Sequence, residues 1–113
     1  LYVSTIEVRK NHTLLFRIWK RLLEEKDESS VPTLVFVGRP GWRVRDLMDQ
    51  IESTKRLSGK IVILHDITDG DLQRLYESAM FTTFTSFVEG WGLPVGESLV
   101  FGRPCIASNA SSI

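Results

Sequence analysis

Residues 33–64 read TLVFVGRPGWRVRDLMDQIESTKRLSGKIVIL, and the period of their apolar residues changes twice. Thr33 to Val37 is a short β-rich run with Val35 and Val37 at its heart, the pattern of a strand. Gly38-Arg39-Pro40-Gly41 stops it with a strong turn signal. Val44, Leu47, Met48 and Ile51 then recur at helical spacing and give an amphipathic helix that fades before Gly59. Ile61 to Leu64 is a second apolar strand. A strand, a helix and a strand in this order imply two parallel strands joined by a helical crossover.

The same alternation continues outward in both directions. Leu1 to Thr5 reads as a strand. Leu14, Leu15, Ile18, Trp19, Leu22 and Leu23 follow at helical spacing, with Arg17, Lys20, Arg21 and Glu24 between them. Asn11 is the expected N-cap of that helix, and the stretch from Glu24 to Ser30, closed by Pro32, is a surface connection. Downstream, Asp69 is expected to cap a helix whose inner face carries Leu72, Leu75, Tyr76 and Ala79. Phe81 to Thr85 is a fourth strand, Pro94 suits the first turn of a fourth helix ending near Gly102, and Cys105 to Ala107 begins a fifth, buried strand. The expected fold is α/β: a Rossmann-like, doubly wound parallel sheet of about five strands with helices on both faces.

Composition narrows the function. The 113 residues carry 14 Lys+Arg against 14 Asp+Glu, so no global charge draws the chain to nucleic acid or anionic membrane. One cysteine excludes an internal disulfide framework and a cysteine-based zinc finger, and it suits a reducing compartment. No apolar run approaches the ~20 residues that span a bilayer. The abrupt start at Leu1 and the Ser-Asn-Ala-Ser-Ser-Ile end suggest a piece of a longer protein. Glycine patterns for a dinucleotide fingerprint or a P-loop are missing, as is any Ser-His-Asp constellation.

In a parallel sheet of this kind ligands bind beyond the carboxyl ends of the strands. Five loops are thereby nominated: Ile6 to Asn11, Gly38 to Arg43, His65 to Thr68, Ser86 to Leu93 and Ser108 to Ser112. The fourth carries most information. Between Ser78 and Ile113 only Glu89, Glu97 and Arg103 are charged, and seven residues separate the two carboxylates. Gly90 and Gly92 permit a tight turn that brings backbone N–H groups close to a ligand. The helix expected from Pro94 would present its amino end to a phosphate, and Glu97 in its first turn could accept hydrogen bonds from a diol. A lone Glu97 would read as a dipole partner and a lone Glu89 as a solvated loop acid; the glycines and the uncharged surroundings favour a ligand site.

Arg9 and Lys10 in the first loop oppose the dipole of the helix that follows, an objection that an anionic ligand would remove. Arg39, Arg43 and Arg45 around Trp42 either face a phosphate or form a solvated helix start paired with Asp46, the second being favoured. Asp69-Gly70-Asp71 has the form of a metal-binding Asp-x-Asp but sits where a helix needs a cap. His12 and His65 read as loop or cap residues, Cys105 as an inert small hydrophobe, and Asn11-His12-Thr13 and Asn109-Ala110-Ser111 as chance matches to a glycosylation acceptor.

Thr5-Ile6-Glu7-Val8-Arg9-Lys10-Asn11-His12, Glu89-Gly90-Trp91-Gly92-Leu93-Pro94-Val95-Gly96-Glu97-Ser98, Gly102-Arg103-Pro104 and Ser108-Asn109-Ala110-Ser111-Ser112 together resemble glycosyltransferase family 4, the group 1 retaining transferases. The resemblance covers essentially the whole chain. It implies one lobe of a GT-B architecture, the carboxyl-terminal lobe that binds a nucleoside-diphosphate sugar, with residues 1–113 truncated at the carboxyl end and the acceptor lobe absent. It implies transfer with retention to a glycan or lipid-linked acceptor, with no cofactor and no catalytic metal, since positive side chains and helix dipoles meet the leaving diphosphate.

Carried over by position, the catalytic residues are Lys10 at the diphosphate and Glu89 at the transferred sugar. The substrate-binding residues are Arg9, Gly90, Trp91, Gly92, Leu93 and Glu97, the last at the ribose hydroxyls. Thr5 stands where many members carry an arginine, and Leu64-His65-Asp66-Ile67 replaces the usual third loop. The donor is expected to be UDP-, GDP- or ADP-linked, with mannose in surface polysaccharide assembly as the first candidate. The implied location is cytoplasmic, with the parent enzyme peripheral at the inner membrane face. The isolated fragment is expected to be inactive. Rival readings are a sugar-nucleotide epimerase or a phosphorylase of the same architecture, and a non-catalytic Rossmann-like binding module.

Overall fold

A computed structural model describes residues 1–41, 44–85 and 102–107. The strands are β1 (Tyr2–Val3), β2 (Leu34–Val37), β3 (Ile61–Leu64), β4 (Thr82–Phe84) and β5 (Cys105–Ala107). The helices are α1 (His12–Glu25), α2 (Arg45–Ser53) and α3 (Asp69–Ser78). Every strand pairing is parallel: Tyr2 lies opposite Phe36, Leu34 opposite Ile61, and Thr82 opposite Cys105. The Leu1 amino group donates to the Phe81 carbonyl at 3.2 Å, and the Thr83 N–H donates to the Leu1 carbonyl at 2.9 Å. These two bonds place the start of β1 beside β4. The strands form two sheets, β3-β2-β1 and β4-β5, and these bonds set their edges together, so that the order β3-β2-β1-β4-β5 reverses direction between β1 and β4, the switch point of a doubly wound arrangement.

Alternation along the strands explains the layers. Tyr2, Leu34, Phe36, Ile61 and Phe84 point to one face, where they bury against Leu15, Phe16 and Trp19 of α1 and Leu47 and Ile51 of α2. Leu1, Val35 and Val37 point to the other and pack with Leu72, Leu75 and Tyr76 of α3. Helices therefore cover both faces, as the sequence pattern required.

β1 is shorter than the expected Leu1–Thr5 run, yet its ladder continues. Ser4 N–H donates to Val37 O and Ile6 N–H to Arg39 O, each at 2.9 Å. The chains approach closely there because Gly38 has no side chain: a Cβ on it would fall 1.9 Å from the Ser4 carbonyl oxygen, and its φ is +155°. After α2 the backbone makes a left-handed turn over Lys55–Gly59, with φ between 50° and 58° from Lys55 to Ser58, and this turn delivers Leu57 to the core.

Three local expectations are corrected and one is refined. Asn11 stands at the N-cap position of α1 as expected but makes no side-chain cap bond; it adopts the left-handed conformation (φ 57°, ψ 42°) and its N–H closes the preceding turn. Thr68, not Asp69, caps α3: its Oγ1 accepts from the Asp71 N–H at 3.0 Å, while Asp69 and Asp71 sit in the first turn beside the positive end of the dipole. His12 is neither loop nor cap but a core residue, 1% exposed. β5 is less covered than a buried strand, with Cys105 half-buried and Ile106 58% exposed, since among the described residues only β4 pairs with it. The helix expected from Pro94 lies outside the described residues.

Candidate functional site

The switch point brings together the segment after β1 and the end of β4. After Ile6 the chain makes a single 3-10 turn, Val8–Lys10, closed by the Asn11 N–H donating to the Val8 carbonyl at 3.0 Å. Arg9 and Lys10 occupy this turn. Arg9 pairs with Glu7 at 2.7 Å, and its side chain is 59% exposed. Lys10 runs back toward β4, where its ammonium stands 5.8 Å from the centre of the Phe84 ring.

The main chain of Lys10 is held from two directions. The Tyr2 hydroxyl donates to its carbonyl at 2.7 Å. The Thr85 hydroxyl lies 3.0 Å from the same carbonyl and 3.2 Å from that of Asn11. Tyr2 is fully buried and Thr85 nearly so, while Lys10 is half-buried, so the two bonds lie at the edge of the core. Neither residue was singled out from the sequence. A polar-tipped aromatic in an inward strand position, and a threonine ending the strand before the glycine-rich loop, were the available signals.

His12 lies directly under this turn. Its ring stacks on Tyr2 with centroids 4.4 Å apart and meets Phe36 edge-on at 4.8 Å. The Ser4 hydroxyl donates to the Thr5 carbonyl and lies 3.5 Å from His12 Nε2, while Nδ1 is buried with no hydrogen-bond partner among the described residues. Burial, aided by the charge of Lys10, pushes the His12 pKa down to about 4, so the ring is neutral at physiological pH.

A cavity of about 330 Å³ opens beside the same turn, between the amino ends of α1 and α2, and Glu7, Asn11, Arg17, Asp46 and Gln50 are among its lining residues. It lies on the carboxyl side of the sheet, where ligands of this fold bind. An apolar cavity of about 290 Å³, lined in part by Leu1, Trp19, Val35, Leu75 and Phe81, lies at the amino ends of the strands instead.

The outer loops are tied differently. Arg39, after β2, hydrogen-bonds Asp66, after β3, and His65 Nδ1 lies 3.0 Å from the other Asp66 oxygen. The Arg39 hydrogen bond, reinforced by that of His65, lowers the Asp66 pKa. Arg39 thus pairs across to the third loop; the pairing of the arginines with Asp46 expected from the sequence is not the one Arg39 makes. Arg43 and Trp42 lie outside the described residues. Asp71 pairs with Arg74, and among the described residues no group of three or more acidic, histidine or cysteine side chains is placed to hold an ion. Among them, too, no helix is long and apolar enough to cross a membrane.

Of the site residues nominated from the sequence, Arg9 and Lys10 lie in the turn after β1, with Lys10 beside β4. Glu89, Gly90, Trp91, Gly92, Leu93 and Glu97 lie outside the described residues. Their loop begins at Ser86, the residue after Thr85, and Thr85 is bonded to Lys10.

The family described as "Glycosyl transferases group 1" matches residues 1–113. The chain is 35% identical over 113 residues to an Escherichia coli protein named O-antigen chain mannosyltransferase B, covering 100% of this chain and 29% of that one. It is 32% identical over 106 residues to a serotype-specific mannosyltransferase WbdA of Escherichia coli, covering 94% of this chain and 13% of that one. The chain therefore spans under a third of the length of these relatives.

Proposed function

The chain belongs to the group 1 glycosyltransferases, and from that premise we propose that it is the donor-binding lobe of a retaining enzyme that moves a sugar from a nucleoside-diphosphate sugar to a glycan or lipid-linked acceptor. The observation that carries this reading is the placement of Lys10 at the switch point between β1 and β4, with its backbone fixed by hydroxyls of buried residues. A diphosphate laid across the carboxyl ends of these strands meets the Lys10 ammonium from one side. From the other it meets the N–H groups expected of Gly90 to Leu93 and the amino end of the helix expected from Pro94.

Chemistry follows from charge. As the glycosidic bond to the leaving phosphate breaks, negative charge grows on the phosphate oxygens, and a fixed cation is worth more there than in the ground state. Lys10 supplies it, without a catalytic metal. Glu89 orients hydroxyls of the transferred sugar, and Glu97 accepts from the ribose diol. Arg9, freed from Glu7, reaches the outer phosphate. The relatives named mannosyltransferases support a mannosyl donor and O-antigen-like polysaccharide as product. Such an enzyme works in the cytoplasm, against the inner membrane face where lipid-linked acceptors lie. Transfer needs the acceptor-binding part of the parent protein, so residues 1–113 alone bind nucleotide without transferring sugar.

Titration of the full-length enzyme with GDP, UDP and ADP tests the site. Glu97→Ala is expected to weaken binding of the preferred nucleotide by about 1–3 kcal/mol, the cost of a hydroxyl pair left unmatched. Unchanged affinity would remove Glu97 from the site. A parent enzyme that converts the nucleotide sugar without any acceptor would be an epimerase, and the transfer reading would fall.

A further inference from the structure

We propose that Tyr2 and Thr85 are positioning residues: together they clamp the Lys10 carbonyl and so aim the Lys10 ammonium at the charge that develops on the substrate. The inference rests on the reading of Lys10 given above, and it adds the part of the fold that makes a flexible side chain precise.

A lysine side chain has four rotatable bonds and a compact, strongly hydrated charge, so it does not place itself. What can be fixed is its backbone and the first part of its stem. The turn that carries Lys10 is short and mostly exposed, with Val8 at 56%. Left to itself, a single 3-10 turn of three residues on the surface would drift. Here its last carbonyl is drawn inward and gripped by two hydroxyls from strands far apart in the chain: Tyr2, eight residues before Lys10, and Thr85, seventy-five after it. The Thr85 hydroxyl also reaches the Asn11 carbonyl, and the left-handed Asn11 turns the chain into α1. With the peptide pinned, the Lys10 ammonium stands over the Phe84 ring, on the β4 side.

Tyr2 is itself locked. Its ring is buried between His12, Phe36 and Phe84, stacked on the first and edge-on to the others. Its hydroxyl can move little without moving the core. Thr85 has a further consequence, because it is the last residue before the glycine-rich loop. The same hydroxyl therefore ties the Lys10 turn to the end of β4.

A purely structural role would satisfy buried carbonyls and nothing more. Kinetics of the full-length enzyme separate the two roles. Four proteins are compared in steady-state transfer and thermal unfolding: Tyr2→Phe, which keeps the ring; Thr85→Val, which keeps the shape; the double variant; and Lys10→Ala, which keeps the carbonyl. The donor is the nucleotide sugar that the parent enzyme turns over. Lys10→Ala is expected to lower kcat on the order of 100-fold. Tyr2→Phe and Thr85→Val are each expected to lower kcat on the order of ten-fold, with KM changed far less, since a misplaced cation fails most where charge is greatest. Placed in the Lys10→Ala background, the same two changes are expected to cost no further activity while still lowering the unfolding temperature. That dependence on Lys10 is what a structural bond would not show. Full kcat in the folded double variant, beside a large loss in Lys10→Ala, would overturn the clamp and leave the reading of Lys10 intact. A Lys10→Ala enzyme with full kcat would overturn both.

Discussion

Two loop pairs on the same edge of the sheet are held together by opposite means. At the switch point, β1 and β4 are joined through Tyr2, Thr85 and the Lys10 carbonyl, with neutral hydroxyls on buried or nearly buried residues. One step outward, β2 and β3 are joined through Arg39, Asp66 and His65, polar side chains that stand in water. A hydrogen bond made by a buried side chain has little competition from solvent, so breaking it leaves a poorly matched group. An exposed ion pair exchanges readily with water and salt and contributes little. The fold thus keeps a rigid inner seam, where Lys10 sits, and a loosely tied outer rim.

The two regions meet at Gly38, and the largest effect is expected there. Gly38→Ala would press a methyl group into the Ser4 carbonyl at a φ of +155°, separating β2 from the segment that leads to Lys10. A loss of about 3 kcal/mol or more is expected in denaturant unfolding, at the upper end of single substitutions. Little or no loss would mean that the inner seam does not depend on this close approach.

The next effect distinguishes the regions by pH. His12, inside the seam, ionises near pH 4 when folded and near 6.5 when unfolded. Between those values the unfolded chain binds the proton and the folded chain resists it. Stability is therefore complete above about pH 6.5 and falls as the pH drops toward 4, by on the order of 3 kcal/mol in total. Unfolding curves across that range check it, and His12→Phe, which keeps an aromatic ring in the stack, should flatten the dependence. A dependence that survives His12→Phe unaltered would assign it to other groups.

Thr85→Val should then cost about 1 kcal/mol, because the Lys10 carbonyl keeps Tyr2 but loses its second donor. Smallest is the rim: Asp66→Asn is expected to leave the unfolding midpoint where it was, since the carboxylate it alters is fully exposed to solvent. A larger effect from Asp66→Asn than from Thr85→Val would reverse the contrast between seam and rim.

The architecture was legible because it is local and periodic. Val35 and Val37 alternating with Leu34 and Phe36, and Leu47 and Ile51 at helical spacing, state strand and helix faces directly, and β3 and β5 fell where the apolar runs stood. What failed were single polar residues whose role depends on three dimensions. His12 looks like a helix-start residue because nothing in its neighbours reveals that Tyr2 and Phe36 will sandwich it. Asn11 looks like a side-chain cap, yet the turn before it needs a left-handed residue, which asparagine tolerates. The partner of the Tyr2 hydroxyl depends on the path of the intervening turn, and that of Thr85 lies on the far side of the sequence. Lys10 was found from its company, a basic pair at a helix start; the group that holds it was not. Glu89 and Glu97 lie outside the described residues and rest on their spacing and on family membership.

On this reading the donor's diphosphate lies over the seam and not over the rim. A crystal structure of the full-length enzyme with its nucleoside diphosphate bound tests this most directly. The phosphates should lie across the carboxyl ends of β1 and β4, with Lys10 Nζ about 3 Å from a phosphate oxygen and the Tyr2 and Thr85 hydroxyls still on its carbonyl. Phosphates seated instead beside Arg39 and Asp66, with Lys10 turned to solvent, would contradict it.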